Sequence, residues 1–153
     1  MREIKFRGKL KEKGMTGWIE GSLVHITRTY KDEEDEQECD IYQIINNDGV
    51  GFFIDKETIG QFTGLHDKNG KEIYEGDILQ QVHYVFSNDE YDHKGFKKFI
   101  IQVLWGQKEA AFIFKVIKEI DIEMPKDYKE PYREVIGNIY ENVDLLKGAD
   151  NIE

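Results

Sequence analysis

The sequence predicts an all-β fold, mainly antiparallel and with very little helix. Three observations carry this. Apolar residues recur at every second position or in short runs, with little sustained helical spacing. Clusters of Gly, Asn and Asp break those runs at short intervals. Nine Phe, eight Tyr and two Trp in 153 residues supply the large rings that pack well on a pleated surface. A chain of this length can bury one domain, or two small subdomains that share a core.

Taken in order, residues 4–8 (IKFRG) form a first short strand. Residues 17–26 (GWIEGSLVHI) form a second, after a Lys-Glu-Lys-Gly turn. Residues 31–40 then read as an acidic loop, because Asp32 to Glu36 are five consecutive acids with Glu38 and Asp40 close behind, and like charges at this density repel and stay solvated. A sharper reading makes this tract a nucleic-acid mimic or a dock for a basic partner. Residues 41–45 are a third strand, closed by Asn46-Asn47-Asp48-Gly49, and residues 50–54 a fourth. The stretch 56–63 fits either a helical turn or a strand. Further strands follow at 78–86, 99–105, 111–117 and 134–140, with a charged loop over 87–98. The tail offers one helical turn, Asn142 to Leu146, which Asn142 is able to cap. Antiparallel strands at such intervals close into a barrel or fold as a sandwich.

The stretch GLHDKNGKEIYEGDIL raises the question of a metal loop. An EF-hand needs oxygen ligands at positions one, three and five, Gly at six and a bidentate Glu at twelve. With Asp67 first, Lys71 falls at five, Glu72 at six and Ile78 at twelve. With Gly70 at six, Leu65 comes first and Gly76 twelfth. Both registers fail. Asn69-Gly70 between extended flanks reads instead as a type I′ hairpin turn, which demands positive φ at both central residues.

Charge narrows the function classes. Thirty-one acidic residues against 21 basic ones give a formal net charge of -10, which opposes phosphate backbones and anionic lipid, so non-specific nucleic-acid binding is not expected. The lone Cys39 cannot make an intrachain disulfide, which fits a reducing compartment; its acidic neighbours disfavour a reactive thiolate. No apolar run reaches bilayer length, and the opening MREIKFRGK lacks the apolar core of a signal peptide. The expectation is a cytoplasmic protein without membrane contact.

Catalytic motifs are missing from the sequence. His25, His66, His83 and His93 share no H-x-x-x-H or H-E-x-x-H spacing. Asp92-His93 is a conceivable divalent site, and a surface histidine is the plainer account. G-x-S-x-G, the P-loop and G-x-G-x-x-G do not occur. No catalytic, cofactor-binding or metal-ligating residue is therefore assigned, and no cofactor. Trp18, Trp105, Phe112 and Phe114 suit a core better than a base-stacking platform, since each buried ring contributes roughly 1.5–3 kcal/mol.

Two blocks and a tail are more specific. Residues 58–65 (TIGQFTGL) and 67–78 (DKNGKEIYEGDI), with 134–142 (EVIGNIYEN) near the end and the IKFRG opening, resemble the YopX family of phage and prophage proteins. Val143-Asp144 departs from the Pro-Glu often found there. The resemblance implies an N-terminal β subdomain over 1–64, packed with an SH3-like barrel subdomain over 65–153. It also implies phage or prophage origin in a bacterial host and a tendency to self-associate, with no assigned activity. The expectation is a non-catalytic homo-oligomeric interaction or adaptor protein that engages a host or phage protein, with the acidic loop as a candidate contact. A nucleic-acid or small-ligand module using Lys94, Lys97 and Lys98 is the alternative, and a metal-dependent enzyme is more distant.

Overall fold

The computed structural model describes residues 3–31, 35–85 and 95–147. Ten strands fill most of this length: β1 (Phe6–Lys9), β2 (Trp18–Lys31), β3 (Glu36–Ile45), β4 (Gly51–Phe53), β5 (Gly60–His66), β6 (Glu72–Tyr74), β7 (Asp77–Val85), β8 (Gly95–Gly106), β9 (Ala111–Ile122) and β10 (Tyr132–Asn138). Helix is confined to two 3-10 turns, Lys56–Thr58 and Val143–Leu146. The fold is antiparallel β, as the alternation predicts. The chain divides into two compact units, Met1–Phe62 and Thr63–Glu153.

In the first unit β4, β3, β2 and β1 are neighbours in that order, and Gly60 and Gln61 of β5 pair with Arg7 and Phe6 of β1. Ile44 and Ile54 are buried between these strands. Gly21 is required where β2 passes from β1 to β3, because a Cβ there would lie 2.0 Å from the Ile45 carbonyl oxygen. The ambiguous stretch 56–63 contains both of its readings. Asp55 caps the 3-10 turn by accepting Glu57 N at 3.2 Å, and β5 follows it directly.

β2 and β3 run longer than the alternation suggests. They stay in register through ten pairs, from Ser22↔Ile45 to Lys31↔Glu36. The acidic loop expected over 31–40 is thus largely strand: Glu36, Glu38 and Asp40 lie opposite Lys31, Thr29 and Thr27. Cross-strand neighbours of opposite charge or with hydroxyls relieve the repulsion that argued for a loop. Asp32, Glu33 and Glu34 lie outside the described residues.

In the second unit the order is β10-β7-β8-β9. Ile73, Leu79, Ile101 and Val103 form its core, with Phe99, Phe114 and Val135 packed against them. β8 and β9 form a hairpin from Gly106↔Ala111 to Phe96↔Ile122, so residues 95–98 of the expected charged loop are strand. The shift in register between Ile100 and Ile101 leaves Ile117 as an extra residue of β9; Ile117 is buried while Val116 faces out. This order is linear among the described residues, and the SH3-like closure stays an implication of the resemblance. β10 starts two residues before the expected strand and stops at Asn138, whose side chain takes over from the ladder.

Candidate interaction surface

The β2–β3 hairpin builds the most distinctive surface of the first unit. β4 accompanies β3 only over 43–45, and β1 accompanies β2 only over 18–21. Beyond them the hairpin continues as a two-stranded ribbon, an element of marginal stability by itself. Strand alternation sorts its side chains. One face presents His25, Thr27, Thr29, Glu38 and Asp40; the other presents Ile26, Arg28, Tyr30, Cys39 and Ile41. Ile26 is 37% exposed and Tyr30 54% exposed.

The polar face is ordered by local bonds. Asp40 Oδ1 accepts from His25 Nε2 at 2.9 Å and from the Thr27 hydroxyl at 2.8 Å. The His25 ring lies flat on Tyr42, with centroids 4.4 Å apart. The His25 hydrogen bond, then that of Thr27, holds the Asp40 carboxyl below its ordinary range. Cys39 sits on the opposite face, exposed and unbridged.

A cleft of about 710 Å³ runs beside β3, along residues 38–42. Its far wall carries Phe53, Ile54, Lys56 and Glu12. Ile54 N donates to Tyr42 O at 3.1 Å, and no strand continues along that edge of β3 among the described residues.

Elsewhere the residues singled out from the sequence have structural surroundings. His83 approaches Gln81 Nε2 at 2.6 Å and Glu130 at 3.7 Å. His66 closes β5, and Asp92, His93 and Lys94 lie outside the described residues. Among the described residues no group of three or more His, Cys, Asp or Glu side chains converges as a metal site would. Lys97 bridges Glu119 and Asp121 across the β8–β9 hairpin, so the expected basic cluster is partly neutralised by its own strand partner. Phe114 joins the core as expected, under the Arg133 guanidinium at 5.3 Å. Phe112 instead meets the 40% exposed Trp105 edge to face at 5.1 Å. Trp18 is half-buried, with the Arg7 guanidinium 4.8 Å from its ring.

The Asp-x-Asn-Gly cluster is a turn, with a correction to its type. Gly70 has φ +83°, whereas Asn69 has no positive φ, which rules out type I′. Gly70 N donates to Asp67 O at 3.0 Å, and Asp67 N to Lys71 O at 2.8 Å. The Asp67 carboxylate determines this geometry. Its Oδ1 accepts Asn69 N at 2.8 Å and Lys71 N at 2.9 Å, while Oδ2 accepts Val135 N at 3.1 Å.

Next to it, Lys68 Nζ donates to the Tyr132 hydroxyl at 2.8 Å and meets Asp127 and Glu134, each at 3.3 Å. Its pKa is raised, first by the Tyr132 hydrogen bond and then by Glu134 and Asp127, against burial. Tyr132 stacks on Tyr128, which meets Phe96 edge to face at 4.9 Å. These rings hold the segment before β10 onto β8.

A family model described as YopX protein matches residues 5–147. The chain is a member of the YopX protein family. A crystal structure of protein EF1440 from Enterococcus faecalis is similar over 96% of this chain and 100% of that one, at 21% identity and a TM-score of 0.45. No curated protein matches. The blocks that carry the YopX resemblance coincide with polar contacts that fix the backbone. Thr58 Oγ1 accepts Lys9 N at 2.8 Å, and Thr63 Oγ1 donates to Ile73 O at 2.8 Å. Asp77 Oδ2 accepts Tyr74 N at 2.8 Å. Gly76, at φ +83°, donates to Val103 O and accepts from Ile139 N, each at 2.9 Å. Asn138 Oδ1 accepts Tyr140 N and Glu141 N, each at 3.0 Å, while Asn142 Oδ1 accepts Asn138 N at 3.1 Å. Asn142 therefore braces β10 rather than capping the last turn, where it makes no side-chain cap. The YopX signature thus coincides with side chains that tie the backbone in place.

Proposed function

We propose that this YopX chain is a phage- or prophage-encoded, non-catalytic interaction protein of the bacterial cytoplasm. It assembles with further copies of itself and engages a host or phage protein. One observation supports this above others: the β2–β3 ribbon projects past its sheet neighbours with both faces accessible and Ile26 and Tyr30 uncovered. A marginal element with exposed apolar side chains gains from being covered by a partner. Its acidic face favours a basic partner over nucleic acid. The chain's net charge of -10 and the neutralised Lys97 weigh against the nucleic-acid alternative.

The test is affinity capture from infected or lysogenic host lysate, with an arm carrying Glu36→Lys and Glu38→Lys as control, alongside light scattering of the purified chain. The expected result is an oligomer whose saturable partner is lost on charge reversal. A monomer that captures the same proteins with either arm would refute the reading.

A further inference from the structure

The cleft beside β3 points to the chemistry of what the chain engages. Hydrogen-bonding groups alternate sides along a strand. Tyr42 turns its carbonyl toward Ile54, so Asp40 and Glu38 direct their backbone groups to the same side, past the end of β4. That edge offers a ladder for an added strand. Five residues of β3 line the cleft, about 17 Å at roughly 3.4 Å per residue, enough to hold four or five residues of extended peptide. Phe53, 46% exposed, stands where β4 ends and offers an apolar contact to an alternate side chain of that peptide.

Charge selects the occupant. The cleft is lined by four carboxylates, of Glu12, Glu38, Asp40 and Asp55, and two ammoniums, of Lys11 and Lys56. Lys56 also pairs with Glu57 at 3.8 Å, so the acidic excess is the greater. A second copy with net charge -10 is disfavoured here by like-charge repulsion, and a nucleic-acid strand more so. We propose that the β3 edge binds an extended basic segment of a partner protein, with alternating cationic and apolar side chains, as an added strand. This rests on the interaction reading above and names the partner's chemistry.

The test is fluorescence polarisation of the intact chain with a labelled seven-residue peptide of alternating Lys and Val, with Glu-Val and Lys-Ser peptides as controls. The Lys-Val peptide should bind, Glu-Val should not, and Lys-Ser should bind more weakly. Glu38→Lys, at an exposed position, should weaken the Lys-Val peptide about tenfold. Glu38→Pro should weaken it also, because it removes the outward N–H while an edge position tolerates the ring. Amide NMR signals of Glu38 and Asp40 should shift on titration. Equal binding of Lys-Val and Glu-Val, unchanged affinity in Glu38→Lys, no binding of Lys-Val, or shifts confined elsewhere would each overturn the proposal. Arm-dependent capture from lysate without peptide binding would sink this inference and leave the interaction reading standing.

Discussion

At Asp67 a single carboxylate accepts three backbone N–H groups, two within its own turn and one from Val135. Removing it strands donors that are partly shielded from water, so Asp67→Ala should destabilise the second unit by roughly 3 kcal/mol. Urea unfolding should show a lower midpoint at unchanged slope. Asp67→Asn keeps one carbonyl oxygen for the turn but turns an amide toward Val135 N, so an intermediate loss is expected. Asp40 makes a different statement, about pH. Its depressed pKa means that its contribution to the arm is complete above the ordinary carboxylate value and is lost as pH falls through the lowered one. The His25, Thr27 and Tyr42 NMR signals should therefore shift together below about pH 4, and Asp40→Asn should abolish that step. The Asp-x-Asn-Gly cluster was legible as a turn from its composition, but the tie to Val135 spans 68 residues and leaves no local mark.

Gly137 and Asn142 act as one element. A Cβ on Gly137 would come within 2.4 Å of Asn142 Oδ1, the atom that accepts Asn138 N. Gly137→Ala should cost about 1–3 kcal/mol, and adding Asn142→Ala should cost less than the sum of the two, because the first change already displaces the brace. Thermal melts of the four variants in that cycle check this. The β2–β3 arm is the converse case. Replacing residues 28–39 with Asn-Gly should leave the melting temperature within about 3 °C, since the described side chains among them, 28–31 and 35–39, are exposed, while abolishing partner capture. The strands were legible where alternation borders on turn residues, as in β1, β4 and β7. They were misjudged where charge overrode alternation. Residues 36–40 and 95–98 are polar enough to read as loops, yet each lies opposite a strand that supplies cross-strand partners, a pairing that no local window contains. The candidate cleft was not legible at all, because Glu12, Glu38 and Asp55 meet only through the register of β3 with its neighbours.

On the scale of the whole molecule, the decisive quantity is the excess of ten negative charges. It sets two readings apart by their response to salt. Nucleic-acid affinity rests on counterion release and falls steeply as salt rises; an interface built on apolar side chains such as Ile26 and Tyr30 is little screened. The Lys97 side chain, between Glu119 and Asp121, has little cationic field to offer a phosphate. The purified chain should therefore shift neither single- nor double-stranded probes at low salt, and the Lys97→Ala/Lys98→Ala variant should behave identically. Its mass by light scattering should exceed that of the monomer and hold constant from about 0.05 to about 0.5 M salt. A probe shift that disappears with salt and with both lysines would transfer the function to the β8–β9 hairpin. An oligomer that dissociates as salt rises would place ion pairs, rather than the exposed rings and aliphatic chains of the arm, at the subunit contact.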